Sequence, residues 1–172
     1  MADCVKALKE WTGKASARVI FDTIVDEFTD QSLFDKVNAK IDIAIVGFTT
    51  DGDVFGGFYS RAVTKPDELF FDPNMFIFSF ESNGRCLTPK RFVLKEGMKR
   101  YAFVTFYKND SNGMFVSFCG NYWSLFSLGD DWSDFWSDRL SEAFEDMEDD
   151  TLTGDEYPER FTCVRLVAVQ LE

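Results

Sequence analysis

The feature that most constrains the fold is a series of short apolar runs, each bounded by turn-forming residues, that begins at Ile41. In the first run, Ile41–Phe48, isoleucines alternate with Ala44, Val46 and Phe48, so both faces of a strand there would be apolar. A strand of that kind is typical of the centre of a sheet that is covered on both sides. Glycine, proline, asparagine and aspartate separate the runs, as they do at turns between strands. We predict strands over residues 41–48, 54–63, 75–80, 91–94, 100–108, 114–119, 122–128 and 161–171.

The first 38 residues have a helical period instead. Cys4, Leu8 and Trp11 recur at the spacing of one helix face, which predicts a helix, and the pattern within residues 20–28 predicts a second one. Thr29 is a candidate N-cap for a further short helix that presents apolar residues between 33 and 37. The chain also has 20 phenylalanines, whose rings suit the layer between two sheets. We therefore predict an α+β fold, a two-sheet antiparallel β-sandwich bordered by helices.

The net charge of -12 comes from one segment, Gly129–Glu159. Of the 30 acidic and 18 basic residues in the chain, 13 and 1 lie in this segment, which leaves 17 of each elsewhere. A phosphate backbone would be repelled by the segment and would meet no cationic excess in the rest of the chain. The charge distribution therefore argues against a nucleic-acid-binding regulator.

Apolar residues in the acidic segment also have a helical period. Trp136, Leu140, Phe144 and Met147 fall on one helix face, and Ser133 is a candidate N-cap. The pattern predicts an amphipathic helix whose acidic face is turned to solvent. We expect one domain over residues 1–172, with N-terminal helices in 1–38, the sandwich in 41–128 and 161–171, and an acidic helical insertion in 129–159.

The sequence shows no targeting or membrane segment. No apolar run approaches the roughly 20 residues that a membrane helix needs, so we expect no membrane insertion. Lys6 and Lys9 interrupt any signal-peptide core at the start of the chain. The expected location is cytoplasmic or nuclear, where the four cysteines would remain thiols.

The chain contains no histidine, which excludes catalytic triads that use histidine and zinc sites that use histidine ligands. Nothing in the sequence singles out a pair of carboxylates for acid-base chemistry, so we expect no enzyme activity, no cofactor and no metal. Cys86 is a redox candidate, because Arg85, Lys90 and Arg91 flank it and nearby cations lower a thiol pKa. The alternative is a small, half-buried residue beside a turn.

The end of the predicted acidic helix is the candidate partner-binding surface. Acidic side chains at the negative end of a helix dipole are unfavourable, which suggests a basic protein partner or a cation nearby. The surface consists of Asp146, Glu148, Asp149 and Asp150. A divalent cation among Asp130, Asp131 and Asp134, or among Asp146, Asp149 and Asp150, is an alternative, and a solvated charged face is another. An EF-hand is excluded, because a loop starting at Asp149 would end at Arg160 instead of glutamate.

Several motifs, taken in order, resemble those of the TLDc domain family. They are residues 19–29 and 33–37 (an opening helix, a turn and a short helix), 43–46 and 51–59 (a strand, a turn and a Phe-Gly-Gly strand), 72–80 (Asp before Phe-Ile-Phe-Ser-Phe), 151–154 (Thr-Leu-Thr-Gly) and 163–169 (a last strand). The resemblance implies structural roles for Phe55, Gly56, Gly57, Asp72, Phe78 and Gly154. Independently, glycines inside a strand permit a bulge or a close approach of backbone.

The resemblance also implies a function. It suggests a two-sheet sandwich without catalytic activity, a role in protection against oxidative stress, and the vacuolar ATPase as a protein partner. The sequence departs from the family pattern in two places: the second glycine-rich stretch is reduced to Phe118–Tyr122, and an acidic segment follows it.

Overall fold

The computed structural model describes residues 2–108, 114–119, 123–125, 133–135, 140–154 and 159–172. The helices in these ranges are α1 (Ala2–Thr12), α2 (Asp30–Val37) and α3 (Leu140–Ala143), with one 3-10 helix at Glu96–Tyr101. The strands are β1 (Ala17–Asp22), β2 (Ile43–Thr49), β3 (Val54–Tyr59), β4 (Phe70–Phe71), β5 (Phe76–Glu81), β6 (Lys90–Val93), β7 (Phe103–Phe106), β8 (Val116–Phe118), β9 (Trp123–Leu125), β10 (Ser133–Phe135), β11 (Glu159–Phe161) and β12 (Cys163–Leu171).

The strands form two six-stranded antiparallel sheets, so the predicted α+β sandwich is confirmed. Sheet A has the order β1-β12-β2-β3-β5-β6, and sheet B has the order β11-β10-β9-β8-β7-β4. Aromatic rings from both sheets meet between them: Phe55 of β3 lies 5.1 Å from Phe161 of β11, and Tyr59 lies 5.6 Å from Phe106 of β7, measured between ring centroids. Burying such rings is a major source of stability in a sandwich of this kind.

A second apolar layer lies on the outer face of sheet A, where α1 packs. Leu8 of α1 is buried there against a cluster that includes Val46 and Phe78. Trp11 stacks on Phe80 of β5 at 5.8 Å between ring centroids. Sheet A is therefore covered on both faces, which explains why β2 has apolar residues in consecutive positions.

The predicted helix over residues 20–28 is wrong. Residues 17–22 form β1, which pairs with β12 along the edge of sheet A, and residues 23–26 form a turn. Phe21 faces the core, whereas Val19 is exposed, so the apparent helical spacing arose from a strand followed by a turn. The short helix after it is found as α2, and the Thr29 side chain accepts a hydrogen bond from the Ser32 amide at 3.1 Å.

The predicted acidic helix over residues 129–159 is also wrong in the described residues. Ser133, the predicted cap, begins β10, and residues 159–161 form β11, so this segment supplies two strands of sheet B. The described helix is only α3, because the next residues pair with sheet A instead. The Glu145 amide donates to the Val93 carbonyl, and the Lys95 amide donates to the Ala143 carbonyl. Trp136 and residues 155–158 lie outside the described part of the chain.

The remaining differences are in strand extent. The strand predicted over 100–108 is shorter, because residues 96–101 form the 3-10 helix and only 103–106 form β7. The two-residue strand β4 has no counterpart among the predicted strands. The extent of a single domain over 1–172 remains a prediction.

Candidate functional site

Three loops meet at the end of sheet A where β2 and β5 end and β3 and β6 begin. They are the β2–β3 turn, the β5–β6 loop and residues 151–154 of the acidic segment. Arg85 lies at their centre: its Nη2 atom is 2.6 Å from Oδ1 of Asp53 and 2.9 Å from the Leu152 carbonyl oxygen, and its Nε atom is 3.3 Å from the Thr151 carbonyl oxygen. Asn83 donates from Nδ2 to the same Asp53 oxygen at 2.8 Å. We call Asp53, Asn83, Arg85 and residues 151–154 the Arg85 cluster. It ties the β2–β3 turn and the β5–β6 loop to the acidic segment.

Local backbone conformation places these groups. Asn83 and Gly84 both have positive φ, and the Arg85 amide donates to the Ser82 carbonyl at 3.0 Å, which is a type I′ turn. Gly154 also has positive φ, and a Cβ atom there would lie 2.7 Å from Nη1 of Arg85. The backbone conformation therefore favours glycine at 154, and a side chain there would also displace the Arg85 guanidinium group from its present position.

The electrostatics of the cluster depend on burial. The Asp53 side chain is only 1% exposed, and burial raises the pKa of its carboxyl group, while the charge and hydrogen bond of Arg85 act against that rise. The guanidinium group meets one carboxylate and two carbonyl groups. This arrangement satisfies a buried charge and fixes three loops, and it points to a structural role for the cluster.

The glycines of β3 allow close packing on both faces of the strand. A Cβ atom at Gly56 would lie 1.9 Å from the Ile45 carbonyl oxygen and 2.6 Å from the Phe78 ring. A Cβ atom at Gly57 would lie 2.5 Å from the Phe118 ring on the opposite face. Phe55 and Phe78 are fully buried, so these motif residues lie in the core.

Asp72 fixes the connections on either side of β4. Its carboxylate accepts hydrogen bonds from the amide of Ser60, from the Ser60 hydroxyl at 3.0 Å, and from the Asn74 amide at 3.0 Å. The side chain is buried, and each donor belongs to the β3–β4 loop or to the turn before β5. Asp72 therefore organises these loops.

The acidic segment runs beside β6, and cationic side chains hold its backbone. Lys95 donates to the Ser141 carbonyl at 2.6 Å, and Lys90 donates to the Asp146 carbonyl at 2.8 Å. Arg85 holds its far end, as described above. These three cations all bind carbonyl groups of the segment, so they fix its backbone against the rest of the domain.

The four acids of the predicted partner surface differ in their surroundings. Asp146, Glu148 and Asp150 are exposed. Asp149 is half-buried, and its Oδ1 atom accepts a hydrogen bond from the Ser141 amide at the start of α3 at 2.8 Å. Three of the four carboxylates thus face solvent, and the fourth caps a turn of helix.

The metal alternatives gain no support in the described residues. No group of three or more cysteine, aspartate or glutamate side chains there is arranged to hold a metal ion. Asp130 and Asp131 lie outside the described residues, and only the backbone of Asp134 is described, in β10.

The four free cysteines differ in burial. Cys119 and Cys163 are buried, and burial raises the thiol pKa of both, to about 11 for Cys163. Cys4 and Cys86 are partly exposed. The cations that flank Cys86 in sequence all bind elsewhere: Arg85 and Lys90 as above, and Arg91 to the Trp11 carbonyl at 2.9 Å. The three cationic side chains that were predicted to lower the thiol pKa of Cys86 thus bind other acceptors.

The comparison with protein families decides the membership of the chain. The model of the TLDc domain family matches residues 4–148. The chain belongs to the TLDc family. The matched region contains the Phe-Gly-Gly strand, Asp72, Phe78 and Arg85, and it ends before Thr151–Gly154. TLDc domains are often linked to the response to oxidative stress. No curated protein sequence matches the chain closely enough to count as a relative.

Sequence reasoning missed the Asp53–Arg85 pair. The sequence places Arg85 beside Cys86 and Asp53 in a turn, and neither position indicates a contact between the two. An aspartate and an arginine in two turns give no sign that they are buried together, because such residues usually face solvent. The available signal was the two glycine turns, 51–53 and 83–85, at ends of strands that an antiparallel order brings side by side.

Among the described residues, no helix is both long and apolar enough to cross a membrane.

Proposed function

We propose that this TLDc domain is a protein-binding module without catalytic activity, acting in the oxidative-stress response or in regulation of the vacuolar ATPase. Its binding surface consists of Asp146, Glu148, Asp149 and Asp150, and its partner presents a basic surface. The observation that supports this proposal is the orientation of the acidic segment, whose carbonyl groups bind the domain's cations while Asp146, Glu148 and Asp150 face solvent.

The surface is held in place before any partner arrives. Phe144, Met147 and Leu152 of the segment are buried in the main core. None of the exposed carboxylates of Asp146, Glu148 or Asp150 forms an ion pair with a described residue. An anchored backbone reduces the entropy lost on binding, and unpaired carboxylates favour fast association with a cationic surface.

The family and the composition guide the choice of partner and location. Because the resemblance to TLDc domains implies the vacuolar ATPase as a partner, a lysine-rich or arginine-rich surface of that complex is the first one to test. The proposed location is cytoplasmic or nuclear. The absence of histidine from the chain supports a function that depends on binding, because the commonest acid-base group near neutral pH is missing.

The test is co-precipitation of purified vacuolar ATPase with the immobilised domain at 0.15 M and 0.5 M NaCl. We expect binding at low salt and loss at high salt, since exposed charges are screened beyond roughly 8 Å at 0.15 M and roughly 4 Å at 0.5 M. A triple variant, Asp146→Asn, Glu148→Gln and Asp150→Asn, should abolish binding. Asp149 is kept in this variant because it caps α3.

A matched control removes the same number of exposed charges elsewhere, through Glu27→Gln, Asp35→Asn and Glu68→Gln. This control should bind like the unchanged domain. Both variants must melt within a few degrees of the parent. Equal retention of the ATPase by the triple variant and the parent would refute the proposed surface.

The redox hypothesis for Cys86 has a separate test. Mass spectrometry after mild peroxide treatment should find Cys86 oxidised before Cys4, Cys119 and Cys163 if it is a sensor. The raised thiol pKa of Cys119 and Cys163 keeps both protonated, and a protonated thiol reacts slowly with peroxide, so the informative comparison is between Cys86 and Cys4. Equal oxidation of Cys86 and Cys4 would refute a sensor role for Cys86.

A further inference from the structure

A recessed surface lies on the outer face of sheet A, beside the first turn of α1. It is a groove of about 590 Å³. Its floor is formed where three strands begin or end, by Phe48 of β2, Val54 of β3 and Phe80 of β5. Cys4 of α1 forms one wall, and Gly84 and residues 86–89 of the β5–β6 loop form the other.

The groove combines an apolar floor with an acidic rim. Leu87 stands at the rim and is 96% exposed, more than any other large apolar residue among those described. The charged residues that line the groove in the described part of the chain are Asp3 and Glu81, and both are acidic. Neither forms an ion pair with a described residue, and among those residues the Glu81 carboxylate accepts a hydrogen bond only from the Ser82 amide, at 3.1 Å, so the described lining combines apolar side chains with two negative charges.

Ring packing fixes the floor of the groove, and hydrogen bonds fix the β5–β6 loop that forms one wall. Phe80 packs against Phe78 at 4.6 Å and against Trp11 at 5.8 Å between ring centroids, so the floor is part of the α1 contact with the sheet. The Cys86 amide donates to the Ser82 hydroxyl at 2.6 Å, and Arg85 anchors the same loop to Asp53. The loop therefore presents Leu87 to solvent from a fixed position. An exposed leucine on a fixed loop resembles the anchoring residues of protein interfaces.

We propose that this groove binds a peptide segment of a partner protein in which an apolar anchor is flanked by lysine or arginine. The apolar anchor fits the floor and Leu87, and the flanking cations meet Asp3 and Glu81. Charge complementarity favours this occupant over an anionic membrane surface, which the two carboxylates would repel. The volume lies in the range of about 300–1,000 Å³ that is typical of binding clefts. The groove does not share a residue with the acidic surface of Asp146, Glu148, Asp149 and Asp150, so either proposal can fail alone.

The experiment selects the ligand and then locates it. A random library of twelve-residue peptides is panned against the immobilised domain at 0.15 M NaCl, and enriched peptides are synthesised with a fluorescent label for anisotropy titration. We expect enriched peptides to carry large apolar residues flanked by at least two lysines or arginines. Leu87→Ser should raise the Kd about tenfold or more, because it removes an apolar contact without touching the core. The double variant Asp3→Asn with Glu81→Gln should raise the Kd about three- to fivefold and weaken its dependence on salt.

Matched controls come from other exposed positions. Leu69→Ser removes an exposed leucine of the loop before β4, and Asp35→Asn removes an exposed carboxylate of α2. Both should leave the Kd within about twofold of the parent value. Light scattering should show the same mass for the parent and Leu87→Ser, since the proposed occupant is not a second copy of the chain.

Four results would overturn the proposal. The first is no enrichment, or enrichment of acidic peptides. The second is binding that Leu87→Ser leaves unchanged; if the triple variant of Asp146, Glu148 and Asp150 abolishes that binding, the peptides bind the acidic surface and only the groove proposal fails. The third is a dimer that Leu87→Ser dissociates. The fourth is sedimentation of the domain with phosphatidylserine vesicles that depends on Leu87.

Discussion

Replacing Arg85 by methionine is the sharpest test of how the two turns and the acidic segment are joined. The substitution preserves much of the side-chain length but removes the partner of a carboxylate that is 1% exposed, together with the hydrogen bonds to the Thr151 and Leu152 carbonyls. Removing one member of a buried ion pair lowers stability by about 3–5 kcal/mol, because the remaining charge is left buried. For a domain of this size, that corresponds to a melting temperature lower by roughly 6–20 °C.

The pH dependence distinguishes this mechanism from a simple loss of packing. Burial raises the pKa of Asp53 above 3.8 in the folded protein, and loss of Arg85 raises it further because the opposing charge is gone. A folded carboxyl with a raised pKa binds more protons than the unfolded one, so the free energy of unfolding falls as the pH rises through that pKa. We therefore expect the loss caused by Arg85→Met to be smaller at pH 4.5 than at pH 7.5.

The assay is urea unfolding at both pH values for the parent, Arg85→Met, Asp53→Asn and the double variant. At pH 7.5 the double variant should be more stable than Arg85→Met by about 1–3 kcal/mol, since it no longer buries an unpaired charge. The amide introduced by Asp53→Asn would keep an oxygen that can accept a hydrogen bond from Asn83. A loss below about 1 kcal/mol, the same loss at both pH values, or no recovery in the double variant would refute the reasoning.

Three further predictions concern stability and are checked by the same unfolding measurements. Gly57→Ala should lower the free energy of unfolding by about 1–3 kcal/mol, because its Cβ would lie 2.5 Å from the buried Phe118 ring. The control Gly97→Ala, with no atom within 4 Å of its Cβ, should stay within about 1 kcal/mol of the parent, and equal effects of the two variants would contradict the close packing. Thr29→Ala should cost about 1 kcal/mol through loss of the α2 cap, and Thr29→Ser should restore most of it. Arg165 makes a bidentate contact with Asp22 and holds the pKa of that carboxyl below 3.8, and Arg165→Met removes this contact. The loss of unfolding free energy in Arg165→Met should be full at pH 7 and should shrink as the pH falls below about 3.8, and a loss that is constant with pH would exclude this linkage.

The sheets could be predicted from sequence because their signal is local. The runs that became β2, β3 and β5 are apolar, short and bounded by turn residues, and each of these features acts within a few residues of the strand. The α2 cap is equally local, since Thr29 and Ser32 are three positions apart.

The failures have a common physical cause, which is pairing between distant parts of the chain. Residues 20–28 have a helical spacing of apolar positions, but β1 gains a ladder of hydrogen bonds with β12, about 150 positions later. Residues after Ala143 have the same spacing, but Phe144 pairs with Leu94 at the edge of sheet A. In both cases a sheet edge offered hydrogen-bond partners that a sequence window does not contain.

The candidate sites also differ in whether their signal is local in the sequence. The sequence identified acidic residues on an exposed surface, and three of the four are exposed, although on a turn instead of a helix. It did not identify the Asp53–Arg85 pair, because the two residues are brought together only by the antiparallel order of β2, β3 and β5. It assigned the cations beside Cys86 to the thiol, whereas they bind the backbone of the acidic segment and α1.

The residues that carry the family resemblance are explained by packing, and this limits what they say about function. Gly56 and Gly57 make room for a carbonyl and an aromatic ring, Asp72 organises two loops, and Gly154 makes room for Arg85. Each of these roles concerns packing or loop geometry, and none involves an exposed residue of the acidic surface or of the Leu87 groove. The acidic surface and the Leu87 groove are different, because their exposed carboxylates and leucine contribute little to the core. Substitutions of Asp146, Glu148, Asp150 or Leu87 should therefore change binding while leaving the melting temperature nearly constant, whereas substitutions in the motif residues should change the melting temperature first.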